Sequence, residues 1–429
     1  MDKKFFLNKQ GPLIIVDETN VKKFFKNKNL SKILFFLDSY FLKDNSKILI
    51  ICDEKTWDNN FLNIISEGLN TLNKKIAIHN LEKKFSKWFS YYIFKKTQFK
   101  YLFLFYFENN KFFFEIFDND LKHIFFKKEL IDNLVIYENQ ISNRNFYKLK
   151  NKNFAFDMLV TIYDLFFVRK NDDKLLNVNF INDDDFINYC QKLLSLLMDI
   201  NFSIGTKKFF SKQKTDLKIY LEKNNDLASF YYKKKNHFLK ITFSEVLVII
   251  HHFLNKESTN NSFVINNNFD KMLNIETNNN GNNILKINFL GQLVFENIDD
   301  KIKNNPLIPI LLVISFLNYK KTQFQNFEKI KELLQKFYSY KNIDILEWNK
   351  KINIKEFVNF FISKKYKVVK IKKENNEYWN LVFTLQNKKN HVIKFFTNTK
   401  IQKNKILFEM DTKQKKLNLI LKALKKYTI

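Results

Sequence analysis

The sequence predicts an α/β chain of two to four domains that ends in a separate α+β domain. Three observations carry this. The chain has 429 residues and is 45% hydrophobic, too long for one ordinary domain and apolar enough to bury several cores. Strand-type and helix-type runs alternate through most of it. From Tyr366 onward the pattern changes to short strands separated by polar turns, closed by one amphipathic helix.

In chain order, "KILIICD" (47–53) is a buried-strand pattern. The following segment places Phe61, Ile64, Ile65, Leu69 and Leu72 at helical spacing. "KKIAIHN" is a strand, and a helix-like segment covers 85–94. "YLFLFYF" (101–107) and "KFFFEIFD" (111–118) are two more strands. Strand–helix–strand–helix–strand order implies βαβ units and a mainly parallel sheet. The alternation resumes at 153–200 and at 217–255, where "FSEVLVIIHHFL" is helical. Two helices are expected between 306 and 340. Then come "YKVVKIKK", "YWNLVFTLQ", "HVIKFFT" and "KILFEMD", four strands of an antiparallel sheet, and the helix "KKLNLILKALKKY". The Asn-rich stretch 266–283 reads as a surface loop, and no period of 20–50 residues repeats.

Composition narrows the function classes. Aromatics make up 17% of the chain, which argues against disorder. Lys, Asn, Phe and Ile are over-used, as A/T-biased coding produces, and Arg144 and Arg169 are the only arginines. The formal charge of +29 suits an anionic partner such as nucleic acid or a membrane surface. Against that, the lysines are spread along the chain, and arginine, the bidentate reader of phosphates and bases, is nearly absent. Solvated lysine faces are the first reading and a polyanion surface the second. Cys52 and Cys190 lie far apart, as in a chain from a reducing compartment without a disulfide framework. The start lacks a signal-peptide core, and the longest apolar run, 306–317, is shorter than the roughly 20 residues a span takes. The expectation is a soluble, cytoplasmic protein with no membrane span. The sequence sets no oligomeric state.

Motifs for chemistry are sparse. No Walker-type loop, G-x-G-x-x-G or H-E-x-x-H is present, and no Cys/His spacing fits zinc. His251 and His252 are adjacent on a helix, so they point apart and form no i,i+4 metal pair. The best oxygen-ligand candidate is "EKNND", where Glu222, Asn224 and Asp226 alternate between two strand-type runs. A hard cation needs several converging oxygens. Asn224 is a neutral amide and Lys223 adds a positive charge, so the residues alone leave a turn and a cation site both open.

The order of segments resembles the α-D-phosphohexomutase family of phosphoglucomutases and phosphomannomutases. In "TDLKIYLEKNNDLASFYYKKKNHFLKITFSEVLVIIHHFL" (215–254), 222–227 stand at the family's metal loop D-P-D-A-D-R, and Phe243-Ser244-Glu245 at its G-N-E turn. "FYFENN" (105–110) stands at the catalytic loop T-A-S-H-N-P, with Phe107 at the nucleophilic serine. Shifting by one residue offers Tyr106 or Glu108. Residues 291–295, "GQLVF", stand at the sugar-binding E-E-S-x-G, so Gln292 takes a glutamate position. In "VIKFFTNTKIQKNKILFEM", Thr397-Asn398-Thr399 stand at S-G-T of the phosphate loop, with Lys394 or Phe395 at its arginine.

The resemblance implies three α/β domains with mixed sheets plus a C-terminal α+β domain, an antiparallel sheet with helices, all four around a central cleft. The implied boundaries are 1–150, 151–235, 236–345 and 346–429, carrying loops 105–110, 222–227, 291–295 and 394–402. It implies Mg²⁺ as the cofactor of any activity that remains, and phosphate or a phosphosugar as ligand. Phosphoryl transfer through a phosphoenzyme needs a hydroxyl nucleophile, and Phe107 has none. Glu222, Asn224 and Asp226 hold one charge fewer than three aspartates. Gln292 and Leu293 cannot accept sugar hydroxyls as a carboxylate would. Lys394, Thr397, Asn398 and Thr399 keep donors for a phosphate. The expectation is an inactive relative with no required cofactor. A divergent active mutase and a lysine-rich polyanion binder are the alternatives, with nucleic acid the less favoured partner.

Overall fold

The computed structural model describes residues 14–26, 29–40, 47–57, 59–69, 75–81, 85–108, 110–124, 146–149, 153–166, 176–182, 186, 189, 193–195, 200–205, 215–221, 228–254, 263–267, 283–287, 293–296, 301–302, 305–320, 327–337, 343–348, 350–372, 381–398, 403–409 and 415–428. Two compact units divide the chain, Met1–Phe154 and Ala155–Ile429.

The first unit is built on one mixed sheet. Its elements are β1 (Ile14–Asp17), α1 (Glu18–Lys26), α2 (Asn29–Tyr40), β2 (Lys47–Cys52), α3 (Asn59–Gly68), β3 (Lys75–Asn80), α4 (Lys87–Thr97), β4 (Tyr101–Glu108), β5 (Lys111–Phe117) and β6 (Phe146–Lys148). The strand order is β1-β5-β4-β2-β3-β6. β2 lies parallel to β3 and to β4, so the crossover from β2 through α3 to β3 and the one from β3 through α4 to β4 run in opposite directions across the sheet. Right-handed crossovers then put their helices on opposite faces. The packing agrees: α1, α2 and α3 share a core with Ile48, Ile50, Phe103, Phe105, Phe112 and Phe114. On the other face, Phe85, just before α4, stacks on Tyr106, and Tyr91 of α4 meets Phe117. With both faces covered, β2 is buried from Ile48 to Cys52, which explains its unbroken apolar run.

The sheet is mainly parallel, with β2–β3, β2–β4 and β3–β6 parallel, but its β1 edge is antiparallel. β4 and β5 form an antiparallel hairpin in register from Leu102–Phe117 to Glu108–Lys111, and β1 adds antiparallel to β5. Only two residues separate β4 from β5, and a connection that short can join only antiparallel neighbours.

Helix α5 (Phe154–Phe166) starts at the boundary, and the second unit takes it from Ala155 on. A second mixed sheet follows: β7 (Asn177–Asn182), β8 (Asn201–Gly205), β9 (Leu217–Leu221), β10 (Ser229–Lys234) and β11 (His237–Ile241), in the order β11-β10-β9-β7-β8. Next come α6 (Phe243–His252) and a third mixed sheet of β12 (Phe263–Asn267), β13 (Asn283–Ile287) and β14 (Leu293–Glu296). Helices α7 (Leu307–Lys320) and α8 (Phe327–Phe337) follow. The fourth sheet is wholly antiparallel, with β15 (Ile343–Trp348), β16 (Tyr366–Lys372), β17 (Leu381–Asn387), β18 (Val392–Asn398) and β19 (Lys403–Glu409) in the order β15-β19-β18-β17-β16. α9 (Ile354–Ser363) and α10 (Lys415–Tyr427) cover it. Phe357 is the hub of that core, 5.0 Å from both Phe361 and Phe395. The sheets are thus mixed, mixed, mixed and antiparallel, the fold class read from the sequence.

A glycine sets one close approach. A Cβ on Gly68, the last residue of α3, would lie 2.5 Å from Leu34 Cβ and 2.8 Å from the Ser31 carbonyl oxygen. Helices α2 and α3 therefore pack with no room for a methyl group. Gly68→Ala is expected to cost about 1–3 kcal/mol through overpacking, despite alanine's better helix propensity. Urea unfolding read by circular dichroism measures it, and an unchanged or raised midpoint would count against this packing.

Candidate functional site

In an α/β sheet of this kind, ligands settle at the carboxyl ends of the strands where the strand order reverses. In the first unit that place is the crevice between β2 and β4, and stretch 105–110 lies there. The structure turns this stretch into strand and hairpin. Phe105 to Glu108 belong to β4, Glu108 pairs with Lys111, and Asn110 takes a left-handed conformation at φ 58°. Such a φ is one that asparagine tolerates well, as a tight hairpin requires.

Neighbouring loops fill the crevice. Asp53, buried directly after β2, accepts from Thr56 N at 2.9 Å and Thr56 Oγ1 at 2.6 Å with one carboxylate oxygen. Its other oxygen accepts from Phe107 N at 2.7 Å. Asp53 N in turn donates to Phe105 O at 3.1 Å, and Glu18 N to Asn110 O at 2.8 Å. The Lys55 ammonium lies 3.6 Å from Glu18 and 5.9 Å from the Phe107 ring. The Phe107 ring itself packs against the unit's core. Every one of these contacts ties protein to protein.

The other predicted residues fall as follows. Glu222, Asn224 and Asp226 lie outside the described residues; their flanks are β9 and β10, paired antiparallel from Tyr220–Ser229 inward. Gln292 also lies outside, while Leu293, Val294 and Phe295 form β14 against β13. Glu245, at the G-N-E position, closes a capping box: Thr242 N donates to its carboxylate at 2.7 Å, and its own N–H donates to Thr242 Oγ1. Lys331 Nζ approaches that carboxylate to 2.5 Å. Lys394 and Thr397 both belong to β18. Lys394 sits opposite Thr384 and Leu407, Thr397 opposite Leu381 and Asn404. Residues three apart in a strand face opposite sides, so β18 does not aim these two at one anion. Asn398 ends β18 opposite Lys403, and Thr399 lies outside the described residues.

One polar cluster escaped the sequence reading. Glu115, in mid β5, is buried among aromatics. Lys87 Nζ donates to its Oε1 at 2.6 Å, the Tyr106 hydroxyl bonds the same oxygen, and His123 Nε2 lies 2.8 Å from Oε2. Burial alone would raise the Glu115 carboxyl, but the Lys87 charge and the His123 and Lys87 hydrogen bonds hold it well below its ordinary value. Burial, then the Glu115 charge, pushes the Tyr106 phenol up. The lone glutamate within "KFFFEIF" was the available signal: an acid in a buried strand needs partners. Each member is satisfied by the others, as in a structural network.

No protein-family model matches the sequence, and no curated protein matches it. Solved structures do match in fold. A phosphoglucomutase/phosphomannomutase family protein from Burkholderia thailandensis superposes with a TM-score of 0.53 at 8% identity, over 97% of this chain and 96% of that one. A Thermus thermophilus protein described as a phosphomannomutase superposes with a TM-score of 0.56 at 8% identity, over 99% of each chain. At such identity the likeness establishes fold alone: this chain has the α-D-phosphohexomutase fold.

The Glu115 network makes stability depend on pH. Because its folded carboxyl is held below the unfolded value, Glu115 stabilises fully above the ordinary glutamate range and loses this as pH falls toward the folded value. Glu115→Gln is expected to cost about 3 kcal/mol at pH 7, leaving Lys87 without its buried partner. The gap from wild type is expected to shrink below about pH 5, as the native carboxylate loses its advantage. Denaturant midpoints from pH 7 to pH 3 test this; a gap that widens in acid would contradict it.

Proposed function

We propose that this chain is a phosphohexomutase-like protein that no longer performs phosphoryl transfer, retaining at most affinity for phosphate or a phosphosugar. The observation that carries the reading is the β4–β5 hairpin. The stretch standing at the catalytic loop is strand plus a two-residue turn, Phe107 offers no hydroxyl, and Asp53 clamps its backbone. A covalent phosphoenzyme needs a nucleophile presented to solvent and substrate, and neither condition is met there. The ligand set Glu222, Asn224 and Asp226 supplies two carboxylates and an amide, a weaker donor set for Mg²⁺ than three carboxylates. No step is assigned to the metal. Four domains, 1–150, 151–235, 236–345 and 346–429, are part of this proposal, and the presence of four sheets supports it.

A coupled assay for conversion of glucose 1-phosphate to glucose 6-phosphate with Mg²⁺ is expected to show no turnover above buffer. Turnover that disappears on changing Glu222 or Asp226 would overturn the proposal and favour a divergent mutase.

A second reading has its own support. Between Ile343 and Ile429 lie twenty-one lysines and seven acidic residues, +14 of the chain's +29. Lys355, Lys364, Lys365, Lys422, Lys425 and Lys426 are exposed on or beside α9 and α10. Such a surface suits a polyanion held by charge and not by base reading. Single-stranded RNA is expected to bind with an affinity that falls steeply with salt. Changing Lys422, Lys425 and Lys426 together to Gln should flatten that dependence; no binding at low salt would remove this reading.

A further inference from the structure

The edge of the fourth sheet carries a patch of mixed chemistry. Five large apolar side chains are exposed among the described residues, and three of them are Ile362 at 47%, Val368 at 39% and Val369 at 57%. Single exposed apolar residues are ordinary, whereas a cluster of them marks a contact surface.

Local structure holds the three together. α9 ends at Ser363, and the turn out of it is tight: Lys364 N donates to Phe361 O at 3.0 Å and Lys365 N to Ile362 O at 2.9 Å. Lys365 takes a left-handed φ of 64°, which turns the chain directly into β16. β16 is the edge strand, paired with β17 alone among the described residues. Its register slips between Val368 and Lys370, so Val369 has no partner in β17 and bulges from the ladder. A bulge re-aims its side chains. That accounts for two consecutive exposed valines, where a regular strand would turn one of them inward.

The charge around these residues has one sign. From Phe357 to Lys372 the chain has five lysines and no acid, and β17 has no charged residue. Lys364, Lys365 and Lys367 are exposed between Ile362 and Val368. Four kinds of partner are open to such a surface, and three fit poorly. A second copy of this chain would bring the same charge, part of a net +29. An added β-strand needs an unbroken ladder edge, and the bulge interrupts this one midway. Single-stranded RNA stacks its bases on exposed rings, and Tyr366, the one aromatic residue in 362–369, is buried. Aliphatic tips interleaved with lysines suit an anionic lipid surface. The tips enter the acyl boundary while the ammonium groups meet the headgroups.

We infer that the corner of α9 and β16 is a docking site for an anionic membrane surface. Ile362, Val368 and Val369 enter the interface, and Lys364, Lys365 and Lys367 meet the lipid phosphates and carboxylates. The contact is peripheral: no helix among the described residues is long and apolar enough to cross a membrane. This goes beyond both readings above. It needs no phosphosugar, and unlike a polyanion held by charge it needs the aliphatic tips.

Co-sedimentation of the full-length chain with phosphatidylcholine vesicles, with and without phosphatidylserine, tests it. Binding is expected only with phosphatidylserine. Changing Lys364, Lys365 and Lys367 together to Gln is expected to weaken it about a hundredfold, roughly fivefold for each lysine. Ile362→Gln combined with Val369→Thr keeps helix and strand propensity at exposed positions and leaves every charge in place. That pair is expected to weaken vesicle binding about tenfold and to leave RNA binding unchanged. Hydrogen exchange of the wild type should slow at 362–369 on phosphatidylserine vesicles, which keeps the test valid if a variant fails to fold. The inference fails if wild type does not bind phosphatidylserine vesicles, or binds phosphatidylcholine alone equally well, or if exchange at 362–369 is unchanged. It also fails if the Ile362→Gln, Val369→Thr pair binds vesicles as wild type does, which would leave a surface acting by charge alone. None of these results bears on the mutase assay, which turns on the stretch 105–110 of the first unit.

Discussion

Everything functional about the first unit depends on the two-residue connection between β4 and β5. A turn that tight fixes the register of the hairpin, from Leu102–Phe117 to Glu108–Lys111. That register alternates side chains across the sheet: Phe103 and Phe105 face α1–α3, while Tyr106 faces α4. It also aims Glu115 at the start of α4, where Lys87 meets it. Lengthening the turn into a loop would free Phe107 from Asp53 and the Asn110 carbonyl from Glu18. The crevice between β2 and β4 would lose its protein-to-protein bonds. The closed crevice and the ordered hairpin are therefore one structural fact. Core packing and loop chemistry are separate constraints, so a hairpin at these strand ends sits on the same core that a longer loop would.

Buried acids are held in two ways. Asp53 accepts from Thr56 and the Phe107 N–H, whereas three others stand next to a lysine: Glu115 with Lys87, Glu245 with Lys331, Asp344 with Lys240. Glu347 meets the buried Lys405 in the same way, at 3.0 Å. With arginine almost absent from the chain, these pairs lack the bidentate fork that would fix both partners at once. The missing geometry comes from helix starts and hydroxyls instead. Lys87 is the first residue of α4, the Glu245 carboxylate is held by the Thr242 capping box, and Tyr106 completes Glu115. Removing one partner of such a pair costs more than the pair contributes, because the other charge stays buried. The lysine excess thus acts in two ways, solvating outer surfaces and neutralising acids inside.

The long apolar periods made the fold legible. β2, β3, β4, α6, α7 and strands β16 to β19 all lie close to where hydrophobic spacing placed them. Misreadings arose where pattern does not carry direction. Alternation could not show that β4 returns as a hairpin; the two-residue gap could, had its length been weighed. β15 and α9 were not separated out because "IDILEW" carries two acids, one of them neutralised by Lys240 from another sheet, a contact no local pattern holds. The site was less legible. The position of Phe107 was readable from segment order, but its clamp by Asp53 joins residues 54 apart in the chain. Lys394 and Thr397 looked like one anion grip only while 394–399 was taken as a loop. As strand, the same spacing turns them to opposite faces.

The two halves of the functional question separate at this point. In the first unit the stretch 105–110 is strand and turn, tied to Asp53 and Glu18 through backbone hydrogen bonds. The second sheet shows the other side of the same division. Its apolar face, with Val178, Phe180, Leu217, Ile219, Leu221 and Phe230, is buried, and α8 packs on it through Phe327 against Tyr232. Its polar face contributes little to that core. Core packing fixes the one face and leaves the chemistry of the other a separate constraint, because a cavity opened in the apolar layer costs stability whereas a polar side chain exchanged on the far side does not open one.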